Sequence, residues 1–354
     1  MRTINLLREL NIKVIEDYFE KLDIDYIFVP IEDENSIKVK LNDKVLKGQI
    51  VYEDKNIVRH SSVSGSVIKI SKLNNKTYLI IKNDYQELSV SKRARNLDNI
   101  NKELFLKYYT NQDIKDILNN KINNLYINAI DDDVYTYNKY TYLKNNISDV
   151  GNIISLLKKI FDINNVSIVI KNSYSNLLNN YKYNVNYIKL DDIYPIGNKY
   201  LINKYLLKND NDYVIDLKDI IDMIYEVKKN KVRVEKYITI AGDNIENKVL
   251  KVKKYSLLSN ILDSKNKSVI LNNSLCGKVI KFKDAIILDD SEAFIFNKDK
   301  NYIVSECSNC GLCMNVCPVK INPLIKSEKC IKCGLCNYVC PSNINIYERI
   351  QNNE

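Results

Sequence analysis

The spacing of apolar residues changes several times along the chain, and each change marks a candidate structural unit. Over residues 1–25 the apolar positions recur every three to four residues, which predicts a helix. Residues 26–95 instead contain short apolar runs separated by turn-forming residues, namely YIFVP, SIKVKL, QIVY, SVIKI and TYLIIK. This second pattern predicts an all-β module of short strands.

Residues 96–230 combine helical spacing with short apolar runs. Helices are predicted over 100–121 and 148–162, and strands are predicted at NLYINAI, VSIVIK and VNYIKL. This alternation predicts a layered α/β unit. Residues 231–298 return to short strands, with one predicted helix near SLLSNILDS; the strand segments are KYITIAG, KVLKVK, SVILN, AIILDD and AFIFN.

Residues 299–354 are organised around cysteines. Eight of the nine cysteines form two copies of the pattern C-x2-C-x2-C-x3-C-P. The first copy contains Cys307, Cys310, Cys313 and Cys317, and the second contains Cys330, Cys333, Cys336 and Cys340. We expect no secretion signal at the N-terminus, because acidic residues interrupt its apolar pattern. In such a chain, clustered cysteines favour metal ligation over disulfides.

The cysteine spacing predicts two 4Fe–4S clusters. Three cysteines at x2 spacing can wrap three corners of a cube, and Gly311 and Gly334 allow the backbone to approach it. In two-cluster ferredoxins the fourth cysteine of each motif ligates the other cluster. Cluster I is therefore assigned to Cys307, Cys310, Cys313 and Cys340, and cluster II to Cys330, Cys333, Cys336 and Cys317. A pair of zinc knuckles is the alternative, but zinc does not need the third cysteine followed by C-P.

Charge and hydropathy restrict the partners that we expect. The net charge is +9, but no Arg-rich run is present, so a nucleic-acid site is not predicted. The lysine excess can help the protein to approach acidic partners or an anionic membrane face. No apolar stretch reaches the roughly 18 residues needed to span a bilayer. We therefore expect a cytoplasmic protein without a transmembrane segment, with peripheral membrane association possible through a partner.

Four segments together resemble the RnfC family, the C subunit of the Rnf ferredoxin:NAD oxidoreductase complex. They are KVLKGQIVYEDKNIVRHSSVSGSVIKI (44–70), YPIGNK (194–199), YITIAGDNIENKVL (237–250) and the cysteine-rich tail (302–347). The resemblance implies an α+β multidomain fold in the family's order. Residues 26–95 would form a barrel-sandwich hybrid, 96–230 a degenerate Rossmann-like α/β domain and 231–298 a β-grasp (SLBB-like) domain. Residues 299–354 would form a ferredoxin-type domain with two 4Fe–4S clusters.

The chain departs from the family where cofactors would bind. The family holds FMN and NADH through a Gly-rich loop, G-x-G-G-A-G-F-P-T, whereas no two of the eight glycines here lie within four residues of each other. FMN and NAD binding are therefore not expected. The family's N-G-x-E-C-E-P-Y segment corresponds to Asn128, Asp131 and Asp133, which are either remnants of a flavin pocket or a polar turn after a strand.

The resemblance implies an RnfC-like protein that has lost nicotinamide oxidation and retained electron transfer, similar to the anaerobic RnfC-like protein associated with proline reductase. Its expected partners are a low-potential donor and an acceptor oxidoreductase, or Rnf-type membrane subunits. Two alternatives remain open, a flavin-containing NADH-oxidising subunit and a non-redox scaffold stapled by clusters. Cys276, outside both motifs, is either a redox-active thiol or a small buried residue.

Overall fold

The computed structural model describes residues 24–348 except 74, 91, 175–184, 244, 266, 297–305 and 326. The predicted helix over 1–25 lies almost wholly outside this part of the chain. The described residues form a mixed α/β structure with several sheets. No helix among them combines the length and apolar character needed to cross a membrane.

The first unit is an antiparallel sheet with an added hairpin. The sheet has the order β1-β6-β5-β2 and the hairpin pairs β3 with β4, with β1 at Tyr26–Ile31, β2 at Lys44–Val45, β3 at Ile50–Glu53, β4 at Val58–His60, β5 at Gly65–Leu73 and β6 at Lys76–Asn83. Alternate residues of β1 point inward, so Ile27 and Val29 are fully buried and Ile27 pairs with Ile81 of β6.

The second unit is built on a parallel sheet of order β10-β7-β8-β9, with β7 at Asn124–Asn128, β8 at Asn165–Lys171, β9 at Asn186–Leu190 and β10 at Asp212–Asp216. The accompanying helices are α1 (Lys102–Tyr108), α2 (Gln112–Asn119), α3 (Asn138–Phe161), α4 (Lys199–Leu206) and α5 (Leu217–Met223), and a π-helical turn, Ile224–Lys228, extends α5. The strands β8 and β9 follow β7 on one side of it, and the chain then returns to place β10 on the other side of β7. The strand order therefore reverses beside β7, where the carboxyl ends of β7 and β10 frame a crevice.

The predicted helices of this unit have different bounds from those expected. The segment 100–121 is two helices, because Tyr109 has extended backbone angles and Asn111 caps a new start by accepting from the Ile114 backbone N–H. The segment 148–162 is the part of α3 that follows a kink at Asn146. The helix itself begins ten residues before the predicted start.

The third unit is a five-stranded sheet of order β12-β11-β15-β13-β14, with β11 at Glu235–Gly242, β12 at Lys248–Lys253, β13 at Ser268–Leu271, β14 at Lys278–Lys281 and β15 at Ala293–Phe296. β11 and β15 run parallel, and the other pairs are antiparallel. The central strand β15 is buried along its whole length, which explains its uninterrupted apolar run.

Three short segments predicted from apolar spacing adopt other structures. SIKVKL makes a single bridge from Ile37 to Tyr52, and AIILDD makes one from Ile286 to Leu257. The predicted helix at SLLSNILDS is a one-turn 3-10 helix, Leu258–Asn260. Ala285, Ile286, Ile287 and Leu258 are buried without belonging to a long regular element, whereas the apolar residues of SIKVKL are half-buried or, at Leu41, exposed. Tertiary packing overrides the local pattern at these positions.

The C-terminal unit has two very short helices, α6 (Leu312–Val316) and α7 (Leu335–Tyr338), which pack against each other. Its small apolar cluster consists of Cys313, Ile344 and Ile346, with other cysteines packed against it. So few apolar residues make a weak core, and units of this size normally need a metal or disulfides for stability.

Candidate metal centre

The two cysteine motifs fold in the same way, 23 residues apart. Asn309 and Lys332 both have positive φ (53° and 55°), and Gly311 and Gly334 follow with φ of 71° and 74°. Each glycine precedes a short helix that contains the third cysteine of its motif, and the fourth cysteine comes after that helix. The sequence repeat is therefore also a structural repeat.

The eight motif cysteines line two adjoining cavities. One, of about 250 Å³, is lined by Cys307, Cys310, Cys313 and Cys340. The second and smaller cavity is lined by Cys317, Cys330, Cys333 and Cys336, and Cys313 borders it as well. Each cavity is thus lined by the first three cysteines of one motif and by the fourth cysteine of the other, and the second cavity has Cys313 in addition.

The donor set fits iron–sulfur clusters. Each cavity presents four cysteine sulfurs, which are the ligands of a 4Fe–4S cube. Within the part of the chain that the structure describes, no three Cys, His, Asp or Glu side chains converge on the position of a single metal ion. A cube spreads its four thiolate ligands around a body much larger than one ion, so a cavity lined by four cysteines suits it.

The second motif is attached to the rest of the protein by hydrogen bonds to its backbone. The Tyr194 hydroxyl donates to the Cys333 carbonyl over 2.5 Å and accepts from the Asn273 amide over 3.1 Å. The Cys276 thiol donates to the Lys332 carbonyl over 3.3 Å, and the Asn337 amide donates to the Leu275 carbonyl over 3.2 Å. The turn between β13 and β14 thereby holds the loop of the second cavity.

The corresponding loop of the first motif is open. A Cβ built on Gly311 would have no neighbour within 4 Å, whereas one on Gly334 would lie 2.6 Å from Leu275 Cβ. Cys310 is exposed, and the Leu312 backbone N–H lowers the pKa of its thiol. Burial raises the pKa of Cys333 to about 11 and that of Cys336 to about 12. The first cavity thus faces solvent and the second faces the protein.

Cys276 lies beside the second cavity. It is half-buried, and its Sγ is 3.1 Å from the position that a Gly334 Cβ would occupy. Burial raises the pKa of this thiol well above its usual value, and the neighbouring cysteines act in the same direction. The side chain therefore favours the neutral thiol form and contributes packing and a hydrogen bond to the loop.

The three acidic and amide residues considered as flavin-pocket remnants are buried and bonded within the protein. The Asn128 amide donates to the Gly197 carbonyl and its oxygen accepts from the Ile130 N–H. Asp133 accepts from the backbone N–H and hydroxyl of Ser274, at 3.1 and 2.9 Å. These two side chains join the end of β7 to the turns that hold the second motif.

Asp131 occupies the N-terminus of α3. Its carboxylate accepts from the backbone N–H groups of Lys139 (3.0 Å) and Tyr140 (3.5 Å), which are the first donors of that helix. Burial raises the pKa of Asp131 to about 7. In nucleotide-binding α/β folds the helix N-terminus receives a phosphate, whereas here it receives a side chain of the same chain.

A lysine lies at the crevice between the carboxyl ends of β7 and β10, where it borders a cavity that is also lined by Asn138 and Lys218. The Lys139 ammonium lies 2.5 Å from an Asp216 carboxylate oxygen and 3.1 Å from the Ile130 carbonyl oxygen. Burial by itself would lower the pKa of Lys139, but the surrounding carboxylates, Asp216 first, hold it above its usual value. An internal ion pair therefore lies where this type of sheet binds ligands.

The comparisons with known proteins identify the class of the C-terminal region. A family model described as a 4Fe–4S binding domain matches residues 307–321, and a second model of the same description matches 323–344. The chain thus carries two ferredoxin-type 4Fe–4S binding domains, which supports iron–sulfur electron transfer. No curated protein matches the sequence.

One solved structure with a related backbone is titled as an NAD+-reducing [NiFe]-hydrogenase in the air-oxidized state. The sequence identity is 10% and the TM-score is 0.45. The match covers 60% of this chain and 53% of the hydrogenase chain, so it spans about half the length of that protein.

Several residues around the second cavity were not singled out in the sequence. Tyr194 lies in the YPIGNK segment that carries part of the family resemblance, so a signal for it existed. Asn273 and Asn337 have no such signal, because asparagine is abundant throughout the chain and is common in turns. Only the structure shows that these three side chains hold the cysteine loop.

Proposed function

We propose that the protein is an iron–sulfur electron-transfer protein that holds two 4Fe–4S clusters in adjoining sites. The observation that carries this proposal is the pair of neighbouring cavities, each lined by the first three cysteines of one motif and the fourth cysteine of the other. When bound, such clusters accept and release single electrons. Because Cys313 borders both cavities, the two sites are close enough to exchange electrons rather than to act independently.

The ligand assignment in this proposal is the crossed one. Cluster I is bound by Cys307, Cys310, Cys313 and Cys340, and cluster II by Cys330, Cys333, Cys336 and Cys317. The lining of the two cavities supports this assignment, because each contains the fourth cysteine of the opposite motif. The packing of α6 against α7 supports it as well, since it brings the ends of both motifs together.

We propose further that the α/β unit binds neither FMN nor NAD. Three observations support this. The sequence lacks a Gly-rich loop, Asp131 takes the helix N-terminus that would receive a phosphate, and Lys139 is paired with Asp216 at the crevice. A nucleotide would have to displace the buried Asp131 carboxylate and break an ion pair whose lysine is buried and whose Asp216 carboxylate is about one-third exposed.

The finer assignment is an RnfC-like protein with a barrel-sandwich module, a degenerate Rossmann-like domain, a β-grasp domain and the cluster domain. The order of an antiparallel β unit, a parallel α/β unit and a second β sheet supports this division. The partners would be a low-potential donor and an acceptor oxidoreductase. A cytoplasmic location is favoured by the clustered reduced thiols that such sites require.

The decisive experiment is anaerobic purification or reconstitution with iron, sulfide and flavin measured on the same sample. We expect about eight irons and eight sulfides per chain, no flavin, and loss of visible absorbance on adding dithionite. Cys276→Ser is the matched control, because it removes the one cysteine outside the motifs while the serine hydroxyl can still donate to the Lys332 carbonyl, so the iron content should be unchanged. Bound zinc without sulfide would refute the cluster assignment, stoichiometric flavin would refute the cofactor proposal, and clusters that dithionite cannot reduce would refute electron transfer.

A further inference from the structure

Exposed apolar side chains surround the first cysteine cavity. Leu312, Met314 and Leu324 line this cavity and are 43%, 46% and 38% exposed. Ile325, next along the chain, is 62% exposed. We call these four residues the cluster I rim. Apolar side chains of this size are ordinary when scattered singly, but a group of them around one site marks an interaction surface.

The cluster I rim is almost free of charge. None of the described residues that line the first cavity has a charged side chain apart from the cysteine thiols. Lys320 lies in the same segment without lining the cavity, and Glu306 and Lys326 flank the segment in the sequence. The rest of the chain is rich in lysine, aspartate and glutamate. An uncharged surface in such a protein fits a partner surface that is also apolar, because a charged partner would lose hydration without gaining an ion pair.

The second cavity offers no comparable surface. Its loop is bonded to the turn between β13 and β14 and to Tyr194. Its apolar lining residues Val319, Ile331 and Leu335 are half-buried or buried. A partner that exchanges electrons with the pair of clusters therefore has its shortest approach at the cluster I rim.

We infer that the cluster I rim is the docking surface for a redox protein whose own cofactor lies beneath an uncharged, apolar surface. This inference rests on the proposed electron-transfer function. The contact would bring the partner cofactor close to the exposed Cys310, and electron tunnelling falls steeply with distance. Because the rim itself has no charged side chain, association should be slower and less dependent on ionic strength than in pairs steered by rings of charged residues, and the negative charge of the thiolate-bound cluster accounts for the salt dependence that remains.

Two other occupants of the rim are possible in principle. A second copy of the chain would place two identical clusters face to face, with no difference in potential to drive net transfer. Residues 1–23 of the same chain, which carry the predicted helical apolar stripe, could also cover it. If either of these occupied the rim, the experiments below would give results different from those expected for a separate redox protein.

The test uses the cluster-loaded full-length protein and a blue-copper electron-transfer protein that is chosen to have an uncharged, apolar surface over its copper. Stopped-flow absorbance measures the rate at which the dithionite-reduced protein is oxidised by this probe at low and high salt. Hydrogen exchange with a redox-inactive, zinc-substituted form of the probe measures binding without electron transfer. We expect a rate that changes little with salt, and protection confined to residues around 308–325.

Ile325→Lys places a charge in the rim without touching a cavity-lining residue, and Met314→Lys is a second variant. We expect each to slow oxidation about tenfold, equivalent to about 1.4 kcal/mol of binding free energy, and to abolish the protection. Leu41→Lys is the matched control, because Leu41 is 56% exposed in the first β unit and far along the chain from the cysteines. Iron content verifies that each variant retains its clusters.

The inference is overturned if Ile325→Lys and Met314→Lys slow the probe no more than Leu41→Lys does. It is also overturned if deletion of residues 1–23 speeds the reaction several-fold, or if the loaded protein is a dimer that Ile325→Lys dissociates. A cytochrome c with a ring of lysines around its haem edge should oxidise the wild type no faster than it oxidises the two rim variants. If dithionite fails to reduce the clusters, the proposed function fails, while the hydrogen-exchange experiment still tests the docking surface.

Discussion

Adding one methyl group to Gly334 should weaken the attachment of the second cysteine loop, whereas the same change at Gly311 should not. The two glycines occupy equivalent positions in the repeat and have nearly equal φ, 74° and 71°. Gly334→Ala and Gly311→Ala therefore share the same penalty for a left-handed backbone, roughly 1–2 kcal/mol. They differ only in what the new Cβ meets.

The magnitude follows from the surroundings of that Cβ. At position 334 it would lie 2.6 Å from Leu275 Cβ and 3.1 Å from Cys276 Sγ, whereas carbon atoms in contact prefer about 3.5–4.0 Å. The loop has to move by close to an ångström, which strains the hydrogen bond from Tyr194 to the Cys333 carbonyl. Overpacking of this kind costs about 1–3 kcal/mol, so the difference between the two variants should be of that size.

Iron loss to a chelator measures this difference. If local opening of the loop limits the release of iron, a difference of about 1–3 kcal/mol should make Gly334→Ala lose cluster II about 5–150 times faster than Gly311→Ala. The experiment is done without oxygen, in low guanidinium, with visible absorbance and released iron followed together. Only half of the iron should show the faster phase.

Equal rates of iron loss in the two variants would contradict the inference that the loop of the second motif is held by the 275–276 turn. A faster loss in Gly311→Ala would contradict the difference in exposure between the two cavities. Leu275→Ala combined with Gly334→Ala provides a further check, because removing most of the opposing side chain should restore part of the lost stability.

Three further predictions follow from the structure. In Cys317→Ser, which removes a ligand of cluster II, we expect the first three cysteines of the second motif to become reactive to alkylation. In Cys340→Ser, which removes a ligand of cluster I, we expect the first three cysteines of the first motif to become reactive. Mass spectrometry that shows the reverse would refute crossed ligation. Tyr194→Phe should destabilise cluster II by about 1 kcal/mol, measured as a lower guanidinium midpoint, with the exposed Tyr338→Phe as a control that should not change it. Burial raises the pKa of Asp131 to about 7, so between about pH 4 and 7 the folded state binds a proton that the unfolded state has released, and the stability falls as the pH rises through that range. Relative to Asp131→Asn, the wild type should therefore lose about 2–3 kcal/mol of stability between pH 5 and 8. Parallel pH profiles of Tm for the two proteins would contradict this.

The strands and helices with strong, regular apolar patterns could be predicted from the sequence. NLYINAI, VSIVIK and VNYIKL correspond to β7, β8 and β9, and KYITIAG and AFIFN to β11 and β15. The strand β10 and the short strands β2, β4 and β14 were missed. The short strands have only two to four residues, too few to show an apolar pattern, and β10 is defined by its pairing with β7, which lies far away in the sequence.

The functional residues also divide into those that the sequence predicts locally and those that depend on distant contacts. The cysteine motifs predict 4Fe–4S binding, because the spacing of ligands on a tight loop is a local property of the chain. The alternatives for Asn128, Asp131 and Asp133 could not be resolved locally. Their partners, Gly197, Lys139 and Ser274, are brought to them only by the folded chain.

The sequence by itself therefore determined that the C-terminal region carries two sets of cluster ligands, since eight thiols at fixed short spacings suffice for that. Tertiary structure decided how the two sets differ. The repeats are equivalent in spacing and in backbone conformation, yet one loop packs against the turn between β13 and β14 and the other is surrounded by exposed apolar side chains. Local sequence sets the conformation of each loop, but the neighbours of a loop depend on elements far away in the chain.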